Sequence, residues 1–153
     1  MSATPPPERP AVRVTVAQLS VSGDHGANRQ VVEDAFDVAA RSRADLLVVP
    51  EYASGFDPRG VGVEHAEPLD GPFVHMLRTR AAATGVAVLA GVTLPADGAD
   101  PRAVNAVVAV DGTGALAGVT ARCTCTTRSG SGSPTASRPD RWTRRRSCWT
   151  WAA

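Results

Sequence analysis

Hydrophobic and polar positions alternate from the start of the ordered-looking sequence. Residues 12–19, Val-Arg-Val-Thr-Val-Ala-Gln-Leu, place Val12, Val14 and Val16 on one face at first and then end in an apolar stretch. That pattern predicts a strand buried in a sheet. From residue 28 the period changes. Val32, Ala35, Phe36, Ala39 and Ala40 recur at helical spacing, which predicts a helix over residues 28–42 with one apolar stripe. Asn28 is the expected cap, and Glu33 and Asp34 suit the positive end of the helix dipole. Leu46-Leu-Val-Val49 is a short, fully apolar strand that Pro50 ends, since proline has no N–H for a ladder. Strand, helix and strand within about 40 residues form a β-α-β unit with parallel, neighbouring strands.

Residues 51–70 read as a long polar loop, a length that in a compact domain signals function or disorder. Pro72 opens a second helix, expected to run to Thr84 with Gly85 just past its end. Residues 86–92 form a third apolar strand. Residues 103–110 and 116–120 flank Asp111-Gly-Thr-Gly114, a hairpin signal. The predicted fold class is α/β, with a partly parallel sheet.

Composition changes this picture in one place. Overall the 153 residues carry a net charge of +1, which suggests no particular partner. Yet residues 1–122 hold ten Arg against fourteen Asp and Glu, and residues 123–153 hold six Arg against one Asp. The later segment has all three Cys and all three Trp, and no Val, Leu, Ile, Met or Phe. Three regions are therefore expected: a disordered lead (1–11), a folded domain (12–122) and a disordered or out-of-frame tail (123–153). The Pro-rich beginning lacks the apolar core of a signal peptide, and no apolar run reaches the ~20 residues of a membrane span. A cytoplasmic location is the expectation, with no membrane partner and little support for a disulfide.

Glu51 is the chief candidate for chemistry. In open α/β sheets, sites gather at the carboxyl ends of strands, and Glu51 directly follows one. A carboxylate there, partly covered by a loop, can act as a general base. By itself the signal is weak, because a strand ending in Pro-Glu is commonly a solvated turn.

The surrounding segments add to it. Val14-Thr-Val-Ala-Gln-Leu19, then Asn28, then Ala44-Asp-Leu-Leu-Val-Val-Pro-Glu-Tyr52 resembles the first block of the nitrilase superfamily of carbon–nitrogen hydrolases, with its "GADLVVLPE" segment. Glu67-Pro-Leu-Asp-Gly-Pro72 is similar to the segment opening that family's second helix. Gly85-Val-Ala-Val-Leu-Ala-Gly91 is similar to its "GVYVVAG" strand, and Asn105-Ala-Val-Val-Ala-Val-Asp-Gly112 to its "YNTAVLIDPDG" hairpin. The resemblance covers about residues 12–120 in matching order and spacing. It implies the first half of a four-layer α-β-β-α sandwich, a mixed sheet with helices on one face. It also implies cofactor-free hydrolysis of a small amide or nitrile, with Glu51 as the base for a cysteine nucleophile and a lysine stabilising the oxyanion. Full-length members are expected to be homo-oligomers. Tyr52, Phe56 and Asp57, in the loop after Glu51, are candidates to line the acyl pocket.

The family pattern then breaks. The lysine belongs in a segment like "YRKVHLYD", where this chain has Thr120-Ala-Arg122 followed by Cys-Thr-Cys, and the chain has no Lys at all. Arg122 is near, but a planar guanidinium does not replace a point-charge ammonium. Cys123, Cys125 and Cys148 lack the setting of the nucleophile. Cys123 and Cys125 have no second pair or His cluster for a metal, so no metal site is expected. His25, His65 and His75 read as scattered surface or structural residues. Shifting the codon register after Arg122 permits "VHLYD" and later "AFGFRESDR", both like the family, so residues 123–153 read as a frameshifted product. A natural Arg/Ser/Thr-rich tail is the plainer alternative. Three functional classes stay open: the hydrolase, an inactive family remnant whose half-sheet leaves a flank uncovered, and a nucleic-acid-binding module using Arg141 to Arg146 with Trp142, Trp149 and Trp151. The acidic body argues against the last, so no nucleic-acid partner is expected.

Overall fold

Alternation along a strand sorts its side chains onto two faces, and here both helices cover the same one. A computed structural model describes residues 11–57, 63–96 and 103–122. The elements are β1 (Val14–Val16), α1 (His25–Arg41), β2 (Leu46–Val49), a 3-10 turn (Val63–His65), α2 (Pro72–Thr84), β3 (Ala87–Pro95), β4 (Ala103–Val110) and β5 (Leu116–Arg122). They form one five-stranded sheet in the order β1-β2-β3-β4-β5. β1, β2 and β3 run parallel, as helical crossovers require, and β4 and β5 return antiparallel. This is the mixed α/β sheet the sequence predicts.

One face supplies the core. Leu47, Val49, Val88, Ala90, Val92, Val108 and Val110 are buried there. Against them lie Val32, Phe36 and Ala39 of α1 and Phe73, Leu77 and Ala81 of α2. The helices are tied to each other by an Arg80–Asp37 ion pair, and Arg78 Nε donates to Gly114 O at the hairpin, 3.0 Å away.

Two sequence expectations need correction. First, α1 begins three residues earlier than expected, and Asn28 is not its cap. Asp24 caps it, its carboxylate accepting from Ala27 N–H at 3.0 Å, while Asn28 is buried one turn in. The apolar stripe marks where a helix is buried, not where its backbone bonds begin. Second, β1 spans three residues, not eight, and its valine stripe points away from the core. Val12, Val14 and Val16 are 69%, 47% and 74% exposed. A period of two shows that a strand has two faces but not which one the helices cover. β3 also runs on to Pro95, three residues past the expected end at Val92, while α2 holds its expected limits: it starts on Pro72 and stops at Gly85, which takes the left-handed conformation (φ 73°) and donates to Ala81 O.

Asp111 organises the hairpin turn by accepting from Thr113 N–H, Thr113 Oγ1 and Ala115 N–H at 2.8, 2.6 and 3.1 Å. The Thr113 hydroxyl, then the backbone donors, hold its carboxyl below the usual aspartate value. Backbone N–H groups of Ala27 and Gly26 do the same for Asp24.

Two outcomes follow for this layer. Leu47→Ala is expected to cost about 2–5 kcal/mol in denaturant unfolding, against about 0.5 kcal/mol or less for exposed Val38→Ala. Both depressed carboxyls are ionised in the fold at a lower pH than in the unfolded chain. Their stabilisation is therefore present above the unfolded aspartate value and lost as pH falls through the folded one. The thermal midpoint should drop on acidification below about pH 4, and less steeply in Asp24→Asn and Asp111→Asn; unchanged slopes in both variants would refute this.

Candidate active site

β2 stops because Pro50 cannot continue the ladder, and the next residue, Glu51, turns over β3. The turn is possible because position 91 of β3 has no side chain. A Cβ on Gly91 would lie 2.5 Å from Glu51 Cα and 2.8 Å from Pro50 O. Tyr52 then takes a left-handed backbone (φ 57°), unusual for a residue with a side chain. Two bonds to β3 hold it in place. Ala53 N–H donates to Gly91 O at 2.8 Å, and Thr93 N–H donates to Ser54 Oγ at 3.0 Å.

Glu51 lines an open hollow of about 330 Å³ with Leu19, Val21, Pro50, Tyr52 and Phe56. The Tyr52 and Phe56 rings lie 5.8 Å apart. A carboxylate with apolar walls suits proton transfer beside an uncharged substrate. Of the expected pocket residues, Tyr52 and Phe56 reach the hollow, and half-buried Asp57 is not among its lining. Glu51 is exposed, and no loop among the described residues gives it the partial cover that was expected.

Beneath the turn lies a polar cluster that the sequence reading missed. Asn28 clamps two loops. Its Nδ2 donates to Ser22 O (2.7 Å) and Ser54 O (3.3 Å), and its Oδ1 accepts from Ser22 N–H (3.0 Å). Glu67 joins the starts of both helices. Its carboxylate accepts from Phe73 N–H at 2.8 Å, from His25 Nδ1 at 2.6 Å and from Arg29 Nη1 at 3.4 Å. His65, buried, stacks on His25 with ring centroids 6.0 Å apart, and a Cβ on Gly55 would lie 3.3 Å from an atom of each ring. So His25 and His65 are not scattered as expected; only His75 is, on the exposed side of α2. One signal was available. α2 opens on Gly71, which has no side chain to cap it, so a carboxylate must come from elsewhere, and Glu67 stands just upstream.

Among the described residues no group of three or more His, Cys, Asp or Glu is arranged to hold a metal, and no helix is long and apolar enough to cross a membrane. Arg122 ends β5, in register with Asn105. Cys123, Cys125, Cys148, the Arg and Trp residues of the tail and the lead through residue 10 lie outside the described residues.

A family model described as carbon–nitrogen hydrolase matches residues 13–141. A hydrolase of Mycobacterium tuberculosis, Rv0480c, is 35% identical over 101 residues, 64% of this chain and 34% of that protein. The chain thus spans about a third of the length of the curated relatives it matches. Among solved structures, XC1258 of Xanthomonas campestris, a CN-hydrolase superfamily protein with an arsenic adduct in its active site, is 28% identical with a TM-score of 0.58, covering 69% of this chain and 38% of its own. An amidase of Nesterenkonia sp. AN1, in a mutant where acrylamide has added to the active site cysteine, shares the fold at 19% identity and a TM-score of 0.59, over 74% and 45% of the two chains. The NitFhit protein of C. elegans does so at 18% and 0.60, over 73% and 28%.

Gly91→Ala forces the Glu51 turn off β3 and is expected to destabilise by about 1–3 kcal/mol. In hydrogen exchange the Ala53 and Thr93 amides should lose protection more than those of β4–β5 pairing; equal loss would show that the contact is not local to the turn.

Proposed function

This chain belongs to the carbon–nitrogen hydrolase family, and from that premise we propose that Glu51 is the general base for hydrolysis of a small amide or nitrile by a cysteine thiolate. One observation carries the reading: the Gly91 contact delivers Glu51, at the carboxyl end of β2, to an apolar hollow. In the reaction, the carboxylate takes the thiol proton and the sulfur bonds to the carbon of the C–N group. From an amide, the tetrahedral adduct expels amine, which leaves with the proton, and water then cleaves the thioester to acid and thiol. The oxyanion needs a fixed cation or donor nearby, the role of the family's lysine. With no Lys in the sequence, the 153-residue chain on its own holds the proton acceptor without that cation. We therefore propose that it does not turn over by itself, which favours the second reading, a family remnant that keeps the site's base and not its chemistry. The out-of-frame origin of residues 123–153 is a separate proposal; sequencing the gene around the Arg122 codon tests it, and an unbroken hydrolase frame on neither side would sink it.

Two measurements test the assignment. The purified chain should show no Glu51-dependent hydrolysis of a panel of simple amides and nitriles. In a chimera, residues 13–122 replace the matching segment of the Mycobacterium tuberculosis hydrolase. There Glu51→Gln should lower kcat/KM by about 10²–10⁴, and a change under threefold in an active chimera would rule Glu51 out as the base.

A further inference from the structure

The chain has three Phe and one Tyr. Phe36 and Phe73 are buried in the core. Phe56 and Tyr52 are only half-buried, and both stand at the hollow beside Glu51, their ring planes tilted by 36°. Tyr52 is there on a left-handed backbone that a residue with a side chain avoids, held by the bond from Ala53 N–H to Gly91 O. Strain of this kind persists only where the surroundings enforce it, and it gathers at ligand clamps.

We propose that the hollow selects an uncharged aromatic group on the carbon of the C–N bond, so that the substrate class is aromatic amides or nitriles. The proposal rests on Glu51 being the base. Three features of the hollow favour such a group. Its 330 Å³ lies at the small end of the ~300–1,000 Å³ of ligand pockets, room for a single ring. Tyr52 and Phe56 offer a third ring stacked or edge-on contacts that a saturated group of the same size forgoes. Finally, Glu51 is the one charged residue of the lining, and among the described residues no cation lines the hollow. An anionic group would share the hollow with that carboxylate unpaired. A cationic group would pair with Glu51 and hold the carboxylate that must take the thiol proton. A neutral ring does neither.

Benzamide, cyclohexanecarboxamide and 4-carbamoylbenzoate, each titrated into the whole chain and followed by NMR, test this. Tyr52 is the only tyrosine, so its ring signals report the hollow unambiguously. Benzamide should move the Tyr52 and Phe56 ring signals with a millimolar dissociation constant and leave those of Phe36 and Phe73 in place. Cyclohexanecarboxamide should bind about 2–10-fold more weakly, having no ring face or edge to offer. 4-Carbamoylbenzoate should bind roughly tenfold more weakly through repulsion by Glu51, and Glu51→Gln should bring it to within about threefold of benzamide. Phe56→Leu should erase the preference for benzamide over cyclohexanecarboxamide. Should a variant fail to fold, the order of the three ligands on the wild-type chain still decides. Equal binding of all three, tightest binding of 4-carbamoylbenzoate, or a benzamide titration that leaves Tyr52 unmoved overturns the proposal. The role of Glu51 as base is read separately, from Glu51→Gln in the chimera, so either result can fail while the other stands.

Discussion

The candidate site depends on one steric allowance: β3 has no side chain at position 91. Parallel pairing brings the end of β2 beside β3, and the missing Cβ lets Pro50 and Glu51 pass over it at a distance any other residue would forbid. Everything at the site follows from that approach. The turn can then bond to Gly91 O and to the Thr93 N–H, and Tyr52 is held in a conformation it would not choose. The hollow forms where Tyr52 and Phe56 lean together beside Leu19 and Val21.

The polar cluster beneath solves a different problem. Ser22 and Ser54, on two different loops, carry backbone groups that need partners. Asn28, with both donors and an acceptor, satisfies groups on two loops at once. Glu67 is half a helix cap and half an ion pair. Its charge is spread over a backbone N–H, an imidazole and a guanidinium, which is what makes a largely buried carboxylate tolerable. These residues fix the loops that bring Glu51 to the hollow without lining it themselves.

How much of this the sequence discloses depends on the range of the interaction involved. The stripe from Val32 to Ala40, the apolar run Leu46–Val49, Pro72 and Gly85 around α2, and the Asp111 turn are set by neighbours a few residues away, and all are legible. Glu51 at a strand end was legible for the same reason. The direction of the β1 valines was not, because only the packing of helices more than ten residues away decides which face is inside. Nor was the joining of His25 and Arg29, on the β1–β2 crossover, with Glu67, on the β2–β3 crossover about 40 residues away; only the packing of the two crossovers side by side brings them together. Asn28 was visible as a polar residue near a helix start, and its place as a clamp inside that helix, not a cap on it, appears only when loop 51–55 comes over it.

The bonding of the turn to β3 has a dynamic consequence. Ala53 and Ser54 hang on Gly91 and Thr93, not on β2, the strand that precedes them in the chain. β3 is in turn held along eight residue pairs by β4, whereas β2 meets β3 over only four. In local opening, the residues around Glu51 therefore share the fate of the antiparallel meander. Fraying of β1 and β2 at their near ends leaves the turn closed, while a disturbance in β4 reaches it through a single strand.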